Sequence, residues 1–448
     1  MLRDAWELAI KTLSLVELQK VSERLALAKT TRKLGIDNAG TIRYAYGLVV
    51  ETVRRRNMIA EFVSSVTAPK KLGDFRLYIS AFLQLYVYHT RFAGDLATVN
   101  LREAEHVCSL ARAIIGWQTF RPVERYMGFL LTRQIKHSQE KSSDDEKIAL
   151  ETFHPVWFVK YCFKLFNRHE AIAFLKGSIY PPSMCIRLNT LQSSQKDILE
   201  ELIAQGMKLE KIEPLRHAFK LCQTNMPLRE LESFKKGLLF VQDKASCYAV
   251  EAANPAPGQT VLDVCAAPGS KTTYIGQLMQ NRGKIYALDY SKRRLETWKQ
   301  EVHRMGVNIS ELVVGDARGP CPINIEAEVV MLDPPCTSTG VFGRQPSAKW
   351  RLAPKSIEIM SGLQWQMINS VAENVKKGGV LVYSTCSVTL EENEMLIERF
   401  LKWHPEFQLA DITPKLGLPG LRGLEKCRRL YPHLHDSNGF FVAKMVKP

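Results

Sequence analysis

The sequence predicts an α/β protein. Its C-terminal part reads as a doubly wound, mostly parallel sheet, preceded by a small mixed α/β segment and an all-helical N-terminal region. Three observations predict this. From residue 251 onward, short apolar runs alternate with amphipathic stretches, the pattern of parallel strands covered on both faces by helices. Residues 1–150 are poor in glycine and proline and carry apolar residues at spacings of three and four, which is helical periodicity. Residues 151–250 mix short extended and helical pieces. Three domains are therefore expected, at 1–150, 151–250 and 251–448.

In the first domain, residues 75–89 are apolar on nearly every side, so this helix is expected at the centre of a bundle. Arg54, Arg55 and Arg56 sit together on another helix; they read either as a solvated face or as a phosphate contact. Residues 137–147 have no apolar member and read as a linker or exposed turn. The second domain opens with a helix bearing Trp157, Tyr161 and Phe166, followed by Tyr180-Pro181-Pro182. Extended pieces at 184–188 and 237–242 then flank a polar helix at 194–205. In the third, strands are expected at 260–265, 284–289, 312–315, 329–333 and 380–384, and helices at 271–279, 292–305, 355–375 and 391–403. A last extended piece, 440–445, follows a turn at Ser437-Asn438-Gly439 and is expected to pair antiparallel at the sheet edge.

Composition bounds the function. With 46% hydrophobic and 24% charged residues, wholesale disorder and collagen-like structure are excluded. The net charge of +15 is a footprint for a polyanion, either nucleic acid or a membrane surface. Residues 1–250 hold 37 basic and 26 acidic groups, and residues 251–448 hold 24 and 20, so most of the surplus lies in the first half. No apolar run reaches the ~18 residues of a membrane span. Asp4 and Glu7 interrupt the stretch that a signal peptide keeps apolar. The ten cysteines include no CxxC pair, and the histidines are scattered, which argues against zinc ribbons and disulfide scaffolds. A cytoplasmic, monomeric protein with no metal centre and no membrane partner is expected.

The first strand of the third domain runs into Cys265-Ala266-Ala267-Pro268-Gly269-Ser270-Lys271. In a doubly wound sheet this turn is where a nucleotide-like ligand binds. Neither GxxxxGK[ST] nor GxGxxG is present. A loop with one glycine suits a carboxylate better than a diphosphate. Asp289 ends the second strand, where a carboxylate grips ribose hydroxyls. Asp316 ends the third and is placed to accept from an adenine amino group. Amino-acid, ribose and adenine contacts in one crevice describe S-adenosylmethionine.

The fourth strand ends Asp333-Pro334-Pro335-Cys336 and the fifth Ser384-Thr385-Cys386-Ser387. Both thiols are expected in the crevice above the strand ends. Carbon 5 of cytosine is a poor nucleophile. Thiolate attack at carbon 6 turns carbon 5 into a carbanion equivalent that accepts a methyl group, and a nearby positive charge such as Lys271 or the sulfonium would lower the thiol pKa. Amine methylation needs no thiol, and Cys336 stands where an N-methylating loop carries an aromatic residue. These residues do not say which cysteine attacks.

CAAPGSKT at 265–272, DPPCTSTG at 333–340, KW at 349–350, STCS at 384–387 and NGFFVAK at 438–444 resemble the Nol/Nop/Sun (Sun/Fmu-like) family of RNA cytosine-5 methyltransferases. PPSMCIRLNT and FVQDKAS extend the likeness over roughly 150–446. DFRLYISAFLQLYVYH in the first domain resembles the central helix of a NusB-type RNA-binding domain. The resemblance implies a Rossmann-like methyltransferase domain with Cys386 as nucleophile and Cys336 assisting product release. It places 265–271, Asp289, Asp316 and Asp333 around S-adenosylmethionine, with Asp333 and Lys271 also near the base. It implies an rRNA or tRNA substrate. Ser270 replaces the family's second loop glycine, CTSTG replaces CSGTG, and Gly343 stands where an arginine is common.

Arg344, Lys349, Trp350 and Arg351 form a basic loop that reads as an RNA-holding element, with Trp350 packing either a base or the core. Lys426, Arg428 and Arg429 allow the same two readings. Two other functions compete: a non-catalytic RNA-binding assembly factor, and a DNA cytosine methyltransferase that would use the Pro-Cys thiol and leave Cys386 dispensable.

Overall fold

The computed structural model describes residues 2–93, 101–134 and 143–448. Its contacts divide the chain into two units. One comprises Met1–Ile179 and Phe342–Leu352, the other Tyr180–Val341 and Ala353–Pro448.

The first unit is helical. Helix Leu77–Arg91 buries Ile79, Ala81, Phe82, Leu83, Gln84, Leu85, Tyr86 and Val87 on several faces, as an all-round apolar sequence requires. Trp6 and Phe120 pack on Phe82, with ring centroids 6.1 and 5.4 Å away. Residues 137–142 of the expected linker lie outside the described residues. Its remainder is helix: Ser143 caps Asp144–Glu151, and Glu146 completes a capping box.

The arginine triplet corrects both of its sequence readings. Arg54 and Arg55 are buried. Arg54 pairs with Glu51 at 3.0 Å and donates to the Gly343 carbonyl at 2.9 Å. Arg55 also pairs with Glu51 and lies against the rings of Tyr88 and Phe153. Arg56 pairs with Glu17 at 2.6 Å. These cations are consumed inside the unit. Counting them as surface charge overlooks the acidic partners one turn or one helix away.

For the basic loop the structure decides between the two readings of Trp350, in favour of packing. Phe342–Leu352 belongs to this helical unit. Phe342 is buried 5.0 Å from Phe158. The backbone and hydroxyl of Ser347 both donate to Glu23. The Trp350 indole N–H donates to the Val53 carbonyl at 2.6 Å, so Trp350 is a packing anchor. Lys349 is fully buried; burial, with Arg54 and Arg55 nearby, pushes its ammonium far below the usual range.

The second unit carries both sheets. The smaller contains β1 (Cys185–Leu188), β2 (Lys208–Lys211), β3 (Ala218–Gln223) and β4 (Leu239–Val241) in the antiparallel order β2-β3-β1-β4. The larger contains β5 (Thr260–Val264), β6 (Lys284–Asp289), β7 (Ser310–Val314), β8 (Ala327–Leu332), β9 (Val375–Thr385), β10 (Gln408–Leu409), β11 (Leu418–Pro419), β12 (Arg428–Leu430) and β13 (Phe440–Val446). Its order is β11-β12-β13-β9-β8-β5-β6-β7, with β10 paired to β13. Strands β9, β8, β5, β6 and β7 run parallel. Leu262, Val264, Val330, Leu332, Leu381 and Tyr383 form one buried face, each large aliphatic contributing about 1.5–3 kcal/mol.

The chain winds β5 to β6 to β7 in one direction and returns to place β8 on the other side of β5. The strand order therefore reverses at β5, and ligands in such sheets bind at the C-terminal strand ends beside that point. Strand β13 pairs antiparallel with β9 through Phe441↔Thr385 to Val446↔Val380. It is not the edge, because β12 and β11 extend the sheet beyond it. These strands of two or three residues are too short to show a period. Arg429, for which RNA contact and core packing were both open, takes the second: it lies in β12, buried in a bidentate pair with Glu394.

Candidate active site

The sheet brings the sequence-selected residues to one end. Cys265 follows β5, Asp289 ends β6, Asp316 follows β7, Asp333 follows β8 and Cys386 follows β9.

The loop after β5 turns sharply. Cys265 and Gly269 both have positive φ, 64° and 107°. A Cβ at Gly269 would approach Trp298 to 3.2 Å, so glycine is required here by conformation and by space. Ser270 is the first residue of helix Ser270–Leu278, and its φ is not in the left-handed region. The serine in place of the family's second glycine is thus accommodated without strain. Below the loop, Thr272 donates to the buried Asp263 at 2.6 Å and accepts from the Trp298 indole at 2.9 Å. Burial raises the Asp263 carboxyl to about 7.

Asp289 is buried and accepts from the backbone N–H groups of Ala267 (3.1 Å) and Ser291 (2.9 Å). Arg294, absent from the sequence reading, stands 3.3 Å from it and also donates to the Ala267 carbonyl. Asp316 is exposed and ion-paired with Arg318, whose hydrogen bonds hold its carboxyl below the usual range. Asp289, Asp316 and Asp333 lie at neighbouring strand ends, at the same end of the sheet as a glycine turn at a helix N-terminus. That donor set suits S-adenosylmethionine: carboxylates for ribose hydroxyls, an adenine amine and a sulfonium, and backbone N–H groups for a carboxylate.

Lys271 is buried and pairs with Asp333 at 2.6 Å. Burial lowers the ammonium pKa, but Asp333 outweighs burial and the net shift is upward. The other oxygen of Asp333 accepts from the Ser384 hydroxyl at 3.1 Å. Lys271 also reaches the Ser246 hydroxyl at 3.4 Å.

The two thiols meet. Cys336 Sγ and Cys386 Sγ are 3.2 Å apart, both half-buried. The Cys386 thiol donates to the Ser338 hydroxyl at 3.5 Å, and Ser338 Oγ is 3.9 Å from Cys336 Sγ. The hydrogen bond from Cys336, aided by Ser338, holds the Cys386 thiol below its ordinary value despite burial. Cys336 is correspondingly pushed up, first by that same hydrogen bond and then by burial. The sequence pointed to a positive charge, Lys271 or the sulfonium, for this lowering. The structure pairs Lys271 with Asp333, and the main lowering comes from two neutral hydrogen-bond partners, Cys336 and Ser338.

Two glycines from separate motifs pack the chain closely beside the thiols. The Gly340 N–H donates to the Cys386 carbonyl, and the Gly439 N–H to the Gly340 carbonyl, both at 2.9 Å. A Cβ on Gly340 would meet Gly439 O at 2.0 Å, which explains the glycines of DPPCTSTG and NGFF together. Ser338, Ser246 and Arg294 were missed as individuals. The first two lie inside the recognised segments; Arg294 lies in a run of exposed bases and carries no sequence signal of its own.

A family model described as 16S rRNA methyltransferase RsmB/F matches residues 250–446, and one for the ferredoxin-like domain of RsmF/B-like methyltransferases matches residues 154–227. The chain is 27% identical over 459 residues to the probable ribosomal RNA small subunit methyltransferase B of Bacillus subtilis, covering 98% of each. It is 33% identical over 300 residues to the 25S rRNA (cytosine-C(5))-methyltransferase nop2 of Schizosaccharomyces pombe, covering 64% of this chain and 49% of that one. The crystal structure of PH0851 matches 99% of each chain at 30% identity, with a TM-score of 0.83. That of NSun6 from Pyrococcus horikoshii with SFG, an S-adenosylmethionine analogue, matches 65% of this chain and 98% of that one at 27% identity, with a TM-score of 0.61. A likeness that spans the chain from end to end and centres on the thiol-bearing sheet has one reading: the chain belongs to the RsmB/F (Sun/Fmu) family of S-adenosylmethionine-dependent RNA cytosine-5 methyltransferases.

Proposed function

We propose that Cys386 is the nucleophile of this RNA cytosine-5 methyltransferase and that Cys336 acts in product release. The observation that carries the reading is the 3.2 Å approach of the two thiols, with Ser338 on the Cys386 side. Cys386 Sγ, as thiolate, bonds to carbon 6 of the cytosine and makes carbon 5 nucleophilic. S-adenosylmethionine, when bound, supplies the methyl group to carbon 5. Asp289 and Asp316 orient the cofactor's ribose and adenine, and residues 265–271 cradle its amino-acid end. Asp333, fixed by Lys271 and Ser384, directs Lys271 Nζ toward the base. Loss of the carbon-5 proton and cleavage of the sulfur–carbon bond then free the product, with Cys336 as the adjacent acid–base group.

The target base must be unpaired or flipped out, because the thiol approaches the ring face. A ribosomal substrate is favoured over tRNA by the end-to-end likeness to a small-subunit rRNA methyltransferase. The three-domain division at 150 and 250, RNA contact by the NusB-like helical region, a monomeric state and a cytoplasmic site belong to the same proposal. Among the described residues no helix is long and apolar enough to cross a membrane. The net charge of +15 implies RNA affinity that falls steeply with salt.

The test is incubation with methyl-labelled cofactor and total RNA, followed by mapping of 5-methylcytosine. Wild type should label RNA and Cys386→Ala should not. Full activity in Cys386→Ala would overturn the assignment.

A further inference from the structure

The residues between Cys386 and the last helix of the parallel sheet contain a carboxylate that the reaction as described does not use. Glu392 is fully buried, and so are its immediate partners Ser387, Thr389 and Gln364. One carboxylate oxygen accepts from the Thr337 backbone N–H (2.8 Å) and the Gln364 side-chain amide (2.9 Å). The other accepts from the hydroxyls of Thr337, Ser387 (2.6 Å) and Thr389 (2.7 Å). Thr337 directly follows Cys336, and Ser387 directly follows Cys386. Gln364 donates in addition to the carbonyl of Pro335, which precedes Cys336.

One side chain thus ties the residue after each thiol to a common point. The backbone of Glu392 is itself fixed, since its carbonyl accepts from the buried Tyr383 hydroxyl at 2.7 Å. The neighbouring Asn393 binds the carbonyls of Ser387 (3.0 Å) and Thr389 (2.7 Å). A buried anion with no cation among these five donors is costly unless every lone pair is used. It also works against the chemistry, because its charge raises both thiols. A group that disfavours the thiolate yet sits between the two thiol loops must serve through geometry.

We propose that Glu392 is a positioning residue that sets the approach of Cys386 to Cys336 by holding Thr337 and Ser387 on one carboxylate. The inference rests on the roles given above to the two cysteines.

The distribution of donors supplies a clean test. The oxygen facing the hydroxyls can be replaced by an amide NH2, because hydroxyls reverse from donor to acceptor. The oxygen facing the two N–H groups cannot. Glu392→Gln therefore preserves the tie while removing the charge, and Glu392→Ala removes both. The charged groups facing Cys386 are Asp333 and Glu392, with Lys271 held on Asp333. Deleting the Glu392 charge should move alkylation of Cys386 by iodoacetamide to lower pH.

The experiment measures kcat and KM with RNA and labelled cofactor, together with the pH profile of Cys386 alkylation read by mass spectrometry. For Glu392→Ala the expected result is a fall in kcat of about a hundredfold, the typical cost of misplacing a reacting group by an ångström, with KM values little changed. For Glu392→Gln the expected result is recovery of most of kcat and an acid-shifted alkylation profile. Unchanged kcat in Glu392→Ala would overturn the proposal. So would a Glu392→Gln variant as impaired as Glu392→Ala, or one with an unshifted profile. If Glu392→Ala does not fold, the two Glu392→Gln readouts still decide. Cys386→Ala, assayed alongside, separates the cases: methylation by that variant would refute the assigned nucleophile, whereas the alkylation profile reports on Glu392 alone.

Discussion

The C-terminal strand ends and the basic segments of this chain make an instructive contrast. At the strand ends, Asp289, Asp333, Cys336 and Cys386 were picked from sequence and lie at the same end of the parallel sheet, the two thiols 3.2 Å apart. In the basic segments, Arg54, Arg55, Lys349 and Arg429 were also picked from sequence, as candidate RNA contacts, and all four are buried. The difference is topological. A doubly wound sheet delivers whatever follows each strand to one place, so position in sequence becomes position in space. A run of cations carries no such constraint. Its exposure depends on partners such as Glu51 and Glu394 that nothing in the run announces.

This contrast can be broken most forcefully at Arg429. If it is a structural cation, Arg429→Ala leaves Glu394 buried and unpaired, which costs about 3–5 kcal/mol in denaturant unfolding. RNA KM in the surviving folded fraction should be unchanged. A selective rise in RNA KM at normal stability would return Arg429 to the RNA surface.

The strand-end groups give the next largest effect. Asp289→Ala should raise the KM for S-adenosylmethionine by roughly 10–100-fold, the loss of hydrogen bonds to a charged group, with a smaller change in kcat. Ser338→Ala should raise the Cys386 thiol by deleting a donor to its thiolate, slowing iodoacetamide labelling of Cys386 near neutral pH and moving the profile to higher pH. An unmoved profile would mean that Ser338 does not support the thiolate.

The smallest effect concerns Asp263 under the cofactor loop. Its folded carboxyl lies near 7, above the ordinary ~4 of an unfolded aspartate. The folded state therefore binds the proton more tightly, and this group's stabilisation is full below ~4 and is lost as pH rises toward 7. Asp263→Asn should flatten that part of the stability–pH curve and change the melting temperature at pH 8 upward by a few degrees. A wild-type curve with no downward slope between those pH values would contradict the buried, proton-retaining carboxyl.

What was legible followed from period and motif. The five parallel strands and their helices were placed within a few residues, because continuous apolar strands and amphipathic helices leave clear periods. Strands β10, β11 and β12 were not, since two or three residues show no period, and β13 was therefore taken for an edge. The cofactor loop was readable through its single glycine, confirmed as a conformational need at Gly269 by φ and by Trp298. Glu392 was not readable, because a glutamate beside two other acidic residues in EENE looks like a solvated turn. Only the fold shows five neutral donors converging on it. The same blindness, in reverse, made Arg54 and Arg55 look exposed.

The central claim is the division of labour between the thiols, and a covalent trap tests it most directly. Cys336→Ala, incubated with RNA and S-adenosylmethionine and resolved by denaturing electrophoresis, should accumulate an RNA–protein adduct linked through Cys386, and Cys386→Ala should form none. An adduct that persists in Cys386→Ala, or one mapped to Cys336 in the wild type, would contradict the account.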